Sequence, residues 1–378
     1  MNNVDSQYLD VLRDVYENGK TKHTRSGETL SVFGKTMRFN LQEGFPLLTT
    51  KKTFFKGIAH ELIWFLSGET NIKYLVENNV HIWDDDAYRY YNELVNKHNE
   101  VTYLRDGKPI DPVSKEEFLE KVLKEERVEF DYHDRDNLFN SIKYCFGDLG
   151  PVYGKQWRNF GYNGVDQIQD IIDKLMTTPD DRRMLCVAFN PDMLPQMALP
   201  PCHIMFQFYS RELDTKERWE LYYKKFKNEE FATNASEQEH ITKYSASQEY
   251  YYKGEYDEEL DNEGIPKREL SCFFYCRSQD LPLGTPYNIA SYALLTHMIA
   301  HVTGMSVGEL IYAGGDCHIY KNQLEGVKEQ LSRDPHKYEL PTLWINPEKR
   351  KLEDITYEDI KVQNYESYPT IKFPLSVG

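Results

Sequence analysis

Cys202 is the residue in this sequence with the clearest potential for covalent chemistry. It lies in the segment Ala198–His203 (Ala-Leu-Pro-Pro-Cys-His), after the arginine pair Arg182 and Arg183 and before a strand-like run, Ile204–Tyr209. The thiolate is the reactive form of cysteine, and neighbouring cations lower the pKa that controls its formation. The pattern therefore predicts a nucleophile supported by arginines, although a lone cysteine is more often a small buried apolar side chain.

His203 follows Cys202 directly, but successive side chains of a strand point to opposite faces. We therefore reject a nucleophile–base pair formed within this dipeptide. Arg277 adds a third guanidinium to Arg182 and Arg183, and three arginines near one thiol also form a phosphate site. Each of these arginines, taken singly, is equally compatible with an ordinary salt bridge.

Two further polar residues have suitable chemistry. Glu61 lies in the apolar run Ile58–Leu66, where burial would raise the pKa of its carboxyl group, although spacing alone favours an exposed helix glutamate. Asn288 offers an amide acceptor and donor that complement N3–H and O4 of uracil and mismatch cytosine. Together with the thiol and the arginines, these residues suggest covalent chemistry on a pyrimidine nucleotide. Thiolate attack at C6 would make C5 nucleophilic, and an acid–base group would handle the protons.

The elements that position these residues are predicted from hydrophobic periodicity and from glycine and proline signals. The predicted helices are 6–18, 58–66, 70–79, 167–175 and 289–302, the last of them apolar enough to be central core. The predicted strands are 30–41, 184–189, 204–209, 270–277 and 309–312. The glycine pair at the start of Gly314–Tyr320 predicts a turn that runs into a helix.

Two polar, weakly periodic segments interrupt the compact sequence, at about 87–146 and 210–269. We interpret both as insertions in a single domain that spans residues 1–378, and the second as a solvated excursion rather than a separate domain. The apolar tail Tyr368–Gly378 predicts an extended segment that docks on the protein.

Composition limits the classes of partner. The net charge of −16 argues against a nucleic-acid polymer, because phosphate neutralisation needs a basic surface, but it permits a small anionic substrate. The sequence has no apolar run of membrane-spanning length and no signal peptide, so six scattered cysteines predict reduced thiols in a cytoplasm. Neither the cysteines nor the histidines have metal-ligand spacing, and no metal is expected.

Beyond these residues, the sequence closely resembles the thymidylate synthase superfamily. The resemblance covers nearly everything outside the two interruptions. The matching stretches are Val32–Asn40, Gly44–Lys52, His60–Asn71, Ile82–Asp84, Gly147–Arg158, Asp181–Arg183, Ala198–Tyr209, Arg277–Met298 and Gly314–Tyr320.

The resemblance implies an α/β (α+β) fold in which a large mixed β-sheet is flanked by helices, and a homodimer formed through that sheet. It also implies dUMP as substrate and 5,10-methylenetetrahydrofolate as the one-carbon donor. The implied catalytic residues are Cys202, Glu61, Asn288, Tyr153, His203 and Asp316. The implied nucleotide ligands are Arg25, Arg277, Ser278, Asn288, His318 and Tyr320, with Arg182 and Arg183 donated by the other subunit. The implied folate contacts are Lys51, Ile82, Trp83, Asp280, Leu283 and Gly284.

Two departures from the family pattern bear on the product. The arginine loop, Arg25–Thr29, is one residue shorter than in the family, and the chain runs one residue past the usual terminal position, through Ser376–Gly378. In the family the terminal carboxylate latches onto this loop and excludes water. Looser sealing would let water, instead of hydride from the folate, reach the exocyclic methylene at C5. We therefore expect a deoxyuridylate hydroxymethylase, and the insertions suit a viral relative.

Two other functions stay open. The intact Trp83 and Pro200–His203 are equally typical of an insertion-bearing thymidylate synthase that forms dTMP. An inactive relative of the enzyme that binds a nucleotide or RNA as a regulator is a further alternative. Such a protein would not require Cys202, Glu61 and Asn288 together.

Overall fold

The structure is a computed structural model that describes residues 3–103, 108–133, 139–228 and 257–374. The strands of these ranges are β1 (Lys20–Thr24), β2 (Gly27–Asn40), β3 (Arg127–His133), β4 (Phe139–Cys145), β5 (Leu185–Val187), β6 (His203–Glu212), β7 (Arg268–Asp280), β8 (Ser306–Tyr320), β9 (Thr342–Ile345) and β10 (Ile360–Gln363). The helices are α1 (Asn3–Asn18), α2 (Phe55–Leu66), α3 (Lys73–Glu77), α4 (Asp84–Tyr103), α5 (Lys115–Leu123), α6 (Tyr153–Arg158), α7 (Gln167–Thr177), α8 (Thr215–Asn228), α9 (Asp257–Asn262), α10 (Gly284–Thr303) and α11 (Leu324–Leu331).

The largest sheet of the described chain has six strands in the order β1-β2-β8-β7-β6-β5. Strands β7 and β8 are parallel and are connected by α10, whereas the other neighbours are antiparallel. A parallel pair needs such a crossover, because the chain must return to the same end of the sheet. The prediction of a large mixed sheet flanked by helices is confirmed.

Helix α10 is the central helix of the core. Its side chains are buried on nearly every side, which explains why its sequence is apolar without a polar face. It packs against β7, β8 and α2, and it ends at Gly304, whose φ of 69° lies in the left-handed region that favours glycine. Because the helix begins at Gly284, earlier than predicted, Asn288 lies inside its first turns.

The prediction of a turn and helix over Gly314–Tyr320 is wrong, because these residues form the second half of strand β8. Their glycines are required by close packing. A Cβ at Gly314 would overlap the Tyr312 hydroxyl, and one at Gly315 would lie 2.7 Å from the Tyr275 hydroxyl. The short strand predicted at 309–312 is therefore only the middle of β8. The helix predicted at 70–79 shrinks to α3.

The segment of about 87–146 is a folded unit that packs on the main core. It consists of α4, α5 and the antiparallel hairpin β3–β4. Its buried aromatic side chains belong to the same apolar cluster as the rest of the core. These side chains are Tyr91, Phe118, Phe130, Tyr144 and Phe146.

The segment of about 210–269 extends β6 and β7 and then adds α8 and α9. These helices share a small apolar cluster built on Trp219, Tyr222, Leu260 and Ile265. Residues 229–256 lie outside the described ranges. That both segments are insertions in one domain stays a prediction.

The described part of the tail lies against helix α11. Ile371 is buried, and it contacts the helix beside Gly326, together with Phe373. Ser376–Gly378, on which the sealing argument partly rests, lies outside the described residues. In the described part of the chain, no helix has the length and apolar character needed to cross a membrane.

Candidate active site

The peptide around Cys202 is held by hydrogen bonds to its backbone. The Cys202 N–H donates to the Tyr153 hydroxyl (2.8 Å), and the Cys202 carbonyl accepts from the Arg277 N–H (2.8 Å). The Arg277 guanidinium donates to the carbonyls of Pro200 (3.1 Å) and Pro201 (2.7 Å). Because proline has no N–H, these carbonyls are the groups through which the loop can be fixed. Strand β7 and helix α6 thus position the thiol.

The pKa of the Cys202 thiol is raised by burial, with Asp86 and Asp280 adding to the rise and Arg277 opposing it. Arg277 lowers this pKa, as predicted of a neighbouring cation, but the net shift in the single chain is upward. Desolvation of the thiolate outweighs the one guanidinium beside it.

The other three predicted arginines are exposed or line an open depression. Arg183 is 85% exposed and pairs with Asp181 at 2.9 Å. Arg182 and Arg183 line an open depression formed by Thr177–Arg183. Arg25 is exposed in the turn between β1 and β2. Of the predicted arginines, Arg277 is the one that fixes the peptide of Cys202 and whose charge acts on its thiol in the described chain.

Glu61 lies on helix α2 and is linked through Trp83 to Tyr153, the residue that holds Cys202. Its Oε1 accepts a hydrogen bond from Trp83 Nε1–H at 2.8 Å, and the Trp83 ring lies 6.2 Å from the ring of Tyr153. Burial raises the pKa of Glu61 to about 7, although the Trp83 hydrogen bond opposes the rise. The interpretation of Glu61 as an exposed helix residue is therefore wrong. A carboxyl group that titrates near neutral pH is suited to acid–base catalysis.

Asn288 is oriented by a neighbour that the sequence analysis missed. Its Nδ2 donates to Gln279 Oε1 at 3.3 Å and lies 3.9 Å from the Cys276 sulfur. Gln279 is only 2% exposed, although it is polar and lies at the end of strand β7. The available signal was the amide side chain of Gln279 at the end of an apolar strand, because a polar group that is buried there needs a hydrogen-bond partner. The pairing leaves Asn288 Oδ1 available as an acceptor.

The end of strand β8 carries Asp316, His318 and Tyr320. Asp316 accepts from Ser31 Oγ at 2.5 Å and pairs with Lys22. Burial favours the neutral acid, but these two partners outweigh it and lower the pKa of Asp316. His318 Nδ1 lies 3.2 Å from the Asp316 carbonyl, and its ring contacts Tyr320 edge-on at 5.2 Å. Ser278 lies opposite Asp316 on β7, so these groups share one end of the sheet.

Asp280 links β7 to the start of α10. Its Oδ1 accepts from the Leu283 N–H (3.0 Å), and its Oδ2 accepts from Gln323 Nε2 (3.0 Å). Burial raises the pKa of Asp280, and these hydrogen bonds oppose it. Gln323 was missed by the sequence analysis, because it lies far along the chain in the turn after β8.

Lys51 is a buried cation beside Asp280. Its Nζ donates to the Pro282 carbonyl, and burial lowers its pKa to about 8. A Cβ at Gly284 would lie 3.0 Å from Gln279 Nε2, which accounts for glycine at this helix start. Ile82, next to Trp83, is 40% exposed. The predicted folate contacts thus lie at the start of α10 and beside Trp83.

His203 packs behind the nucleophile loop. Its ring stacks on Tyr153 at 4.1 Å, and its Nδ1 shares a 2.7 Å hydrogen bond with the Tyr292 hydroxyl. Burial lowers the pKa of His203 to about 3, so the ring is neutral. His203 therefore supports Tyr153, which in turn holds Cys202. Among the described residues, no cluster of histidine, cysteine, aspartate and glutamate could hold a metal ion.

Comparison with known protein families agrees with this arrangement. The family model described as thymidylate synthase matches residues 6–224 and 250–377. The interruption, residues 225–249, falls inside the second of the polar segments noted in the sequence.

Proposed function

Since the chain belongs to the thymidylate synthase family, we propose that Cys202 attacks C6 of dUMP and that the protein transfers a one-carbon unit to C5. The family carries out this C5 transfer and uses 5,10-methylenetetrahydrofolate as co-substrate. The observation that carries the proposal is the convergence of two groups on Tyr153. Its hydroxyl accepts from Cys202, and its ring lies beside the Trp83–Glu61 pair.

The proposed reaction has five steps. The Cys202 thiolate forms the S–C6 bond, and the electron pair moves to C5 and O4. Cleavage of the first of the two carbon–nitrogen bonds of the folate methylene opens its ring, and C5 forms a bond to this carbon. Loss of the C5 proton with cleavage of the second carbon–nitrogen bond releases tetrahydrofolate and leaves an exocyclic methylene. Either hydride from tetrahydrofolate, which is oxidised to dihydrofolate, or water adds to this carbon. The C5–C6 double bond then re-forms, and the S–C6 bond breaks to release the Cys202 thiolate. Glu61 handles the protons at O4 and C5, since its pKa of about 7 allows both protonation states at neutral pH.

The remaining residues have binding roles in this proposal. Asn288 reads the uracil ring, His318 and Tyr320 bind the ribose, and Asp316 holds the strand end beneath them. Arg25, Arg277 and Ser278 bind the phosphate, with Arg182 and Arg183 from the second subunit. Lys51, Ile82, Trp83, Asp280, Leu283 and Gly284 contact the folate.

The product that we propose is 5-hydroxymethyl-dUMP. Its support is the tight turn Arg25–Ser26, which Thr24 Oγ1 closes by donating to the Gly27 carbonyl at 2.7 Å. A turn this short leaves less chain to fold over the nucleotide, so water reaches the exocyclic methylene. Formation of dTMP and dihydrofolate is the alternative, and the Glu61–Trp83 pair is compatible with it.

Mass spectrometry of the product distinguishes the two reactions. The protein is incubated with dUMP and 5,10-methylenetetrahydrofolate in water enriched in ¹⁸O. We expect a nucleotide that carries one added CH₂O unit with the heavy oxygen, and tetrahydrofolate as co-product. Formation of dTMP with an equal amount of dihydrofolate would establish the alternative.

Exchange of Asn288 for aspartate tests the uracil preference. A carboxylate at this position would present only acceptors to the acceptor O4 of uracil, whereas a protonated carboxyl group would match cytosine. We expect Asn288→Asp to lower kcat/KM for dUMP by roughly 10²-fold or more relative to dCMP. Asn190→Asp is the matched control, because Asn190 also pairs with a glutamine, at 3.3 Å, but lies outside the proposed base site. Unchanged discrimination in Asn288→Asp would contradict the assigned role.

We further propose a homodimer formed through the large sheet, a form typical of the family. Large apolar side chains are exposed on its strands, namely Phe33 (83%), Tyr209 (63%) and Leu185 (39%). The open depression at Arg182 and Arg183 would then meet the phosphate site of the second chain. Chains carrying Cys202→Ala and chains carrying Arg182→Ala with Arg183→Ala should each be inactive. Mixing and refolding the two variants should restore about a quarter of the activity of the unaltered protein. About half of the dimers would then be mixed, and each mixed dimer has one intact site of two. No recovery would contradict sharing of arginines.

A further inference from the structure

Helix α4, at the start of the first polar segment, makes direct contact with the peptide that leads to Cys202. Arg89 Nη2 donates to the Ala198 carbonyl at 2.8 Å. The next residue, Tyr90, donates its hydroxyl to the Gln196 carbonyl at 3.0 Å. One face of α4 therefore fixes two carbonyls in the segment that ends at the nucleophile.

The same segment is fixed on its other sides. The Ala198 N–H donates to the Leu149 carbonyl at 2.9 Å. Gly150 has a φ of 72° and lies under the segment so closely that a Cβ there would overlap the Gln196 carbonyl. With Arg277 on Pro200 and Pro201, the loop is held between two guanidinium groups.

Arg89 is itself held on α4 by two carboxylates, each about one helical turn away. Its Nη2 lies 2.9 Å from Asp86 Oδ1, and its Nη1 lies 2.7 Å from Glu93 Oε1. The planar guanidinium suits this bridging role, because its donors have fixed directions. Its side chain is only 21% exposed, so the ion pairs are shielded in part from solvent screening.

Resting on the proposed function, we propose that Arg89 is a positioning residue for the reaction, which fixes the Ala198 carbonyl and balances the charge of Asp86. Helix α4 thereby becomes part of the support of the active site. The charge of Asp86 also acts on the thiol, since Asp86 contributes to the raised pKa of Cys202. Among the described residues, the titratable groups that interact with this thiol are Arg277, Asp280 and Cys276 from β7, Asp86 from α4, Tyr153 from α6 and Tyr320 from β8.

Alkylation of Cys202 by iodoacetamide in the free protein gives a readout that does not need turnover. In Arg89→Met the Asp86 charge is uncompensated, so we expect the alkylation rate at pH 8 to fall roughly three- to ten-fold and its pH profile to move upward. Peptide mass mapping separates Cys202 from the partly exposed Cys145, which serves as an internal reference. A second variant, Asp86→Asn with Arg89→Met, should restore the rate.

Turnover separates position from charge. Loss of the Ala198 contact should lower kcat roughly ten-fold in both Arg89→Met and the double variant, with KM for dUMP unchanged within about two-fold. Arg89→Lys should recover part of the loss. The matched control is Lys115→Met, which removes another ion pair of α4, with Asp85 at 2.5 Å, but no contact with the loop.

The proposal is overturned if folded Arg89→Met, Arg89→Gln and Arg89→Lys all alkylate and turn over like Lys115→Met. If only Arg89→Lys and Arg89→Gln fold, their pH profiles are compared with that of Lys115→Met by the same criterion. Failure of the proposed function would instead remove turnover in the unaltered protein while leaving the alkylation differences in place.

Discussion

Replacement of Cys202 by serine is expected to lower kcat by a factor on the order of 10⁴ or more, because an alcohol is a far weaker nucleophile than a thiolate at neutral pH. The change replaces the sulfur atom by oxygen and leaves the backbone hydrogen bonds to Tyr153 and Arg277 in place. Binding of dUMP should therefore change little. Release of tritium from C5-labelled dUMP measures the loss at the first chemical steps.

Covalent capture adds a second measurement. With 5-fluoro-dUMP and the folate, the fluorine at C5 cannot leave as a proton does, so a Cys202 adduct should accumulate and survive denaturation. We expect this adduct in the unaltered protein and in the control Cys145→Ser, and none in Cys202→Ser. A regulator without catalysis would show no adduct at all, and its biological activity would persist in Cys202→Ala.

Exchange of Glu61 for glutamine should lower kcat by roughly 10²- to 10⁴-fold, which is the usual contribution of a positioned acid–base group. The amide oxygen of glutamine can still accept from Trp83 Nε1–H, so the wall around Tyr153 is retained. In the unaltered protein kcat should change across a pKa near 7, where Glu61 titrates. In Glu61→Gln that inflection should disappear, whereas a control such as Glu69→Gln should keep it. An inflection that persists in Glu61→Gln would reassign the titrating group.

The same variant should alter the pH dependence of stability. The pKa of Glu61 is raised from 4.5 to about 7 by burial, so the folded state binds more protons than the unfolded state between these values. The free energy of unfolding therefore falls as pH rises through this window, by about 3 kcal/mol when complete. The free energy of unfolding of Glu61→Gln minus that of the unaltered protein should therefore be more favourable to the variant at pH 8 than at pH 5. Urea unfolding of both proteins at the two pH values measures this difference. An equal difference at both pH values would show that burial does not raise the pKa of Glu61.

Hydrophobic pattern predicted the central helix and several strands, because their sequences are dense in apolar residues, whereas the mixed sheet followed from the resemblance to the family. It failed at β8, where Gly314 and Gly315 were interpreted as a turn. In the structure these glycines admit Tyr312 and Tyr275 from the sheet, and this close approach depends on how the strands are packed in the folded chain. Local signals cannot distinguish a glycine that allows a turn from one that allows a neighbour.

The residues of the candidate site were predicted mainly through the resemblance. The burial of these residues and the pKa values of their side chains were not predicted. Spacing favoured an exposed Glu61, because the indole of Trp83 that covers it comes from another element. The expected depression of the Cys202 pKa failed because local sequence does not reveal burial. The support residues Gln279, Gln323 and Arg89 were missed because each acts on a partner brought near only by folding.

The order of strands in the large sheet also sets how long some strands lack their pairing partner while the chain is being synthesised. Strand β2 occupies Gly27–Asn40, but its partner β8 is Ser306–Tyr320. At about 5–20 residues per second, β2 waits on the order of 15–60 s before its partner is synthesised. During that time the backbone N–H and C=O groups on this edge of β2 lack their partners, which is a hazard for aggregation. Chaperone protection during translation should therefore matter more for this chain than for proteins whose sheets form from neighbouring hairpins.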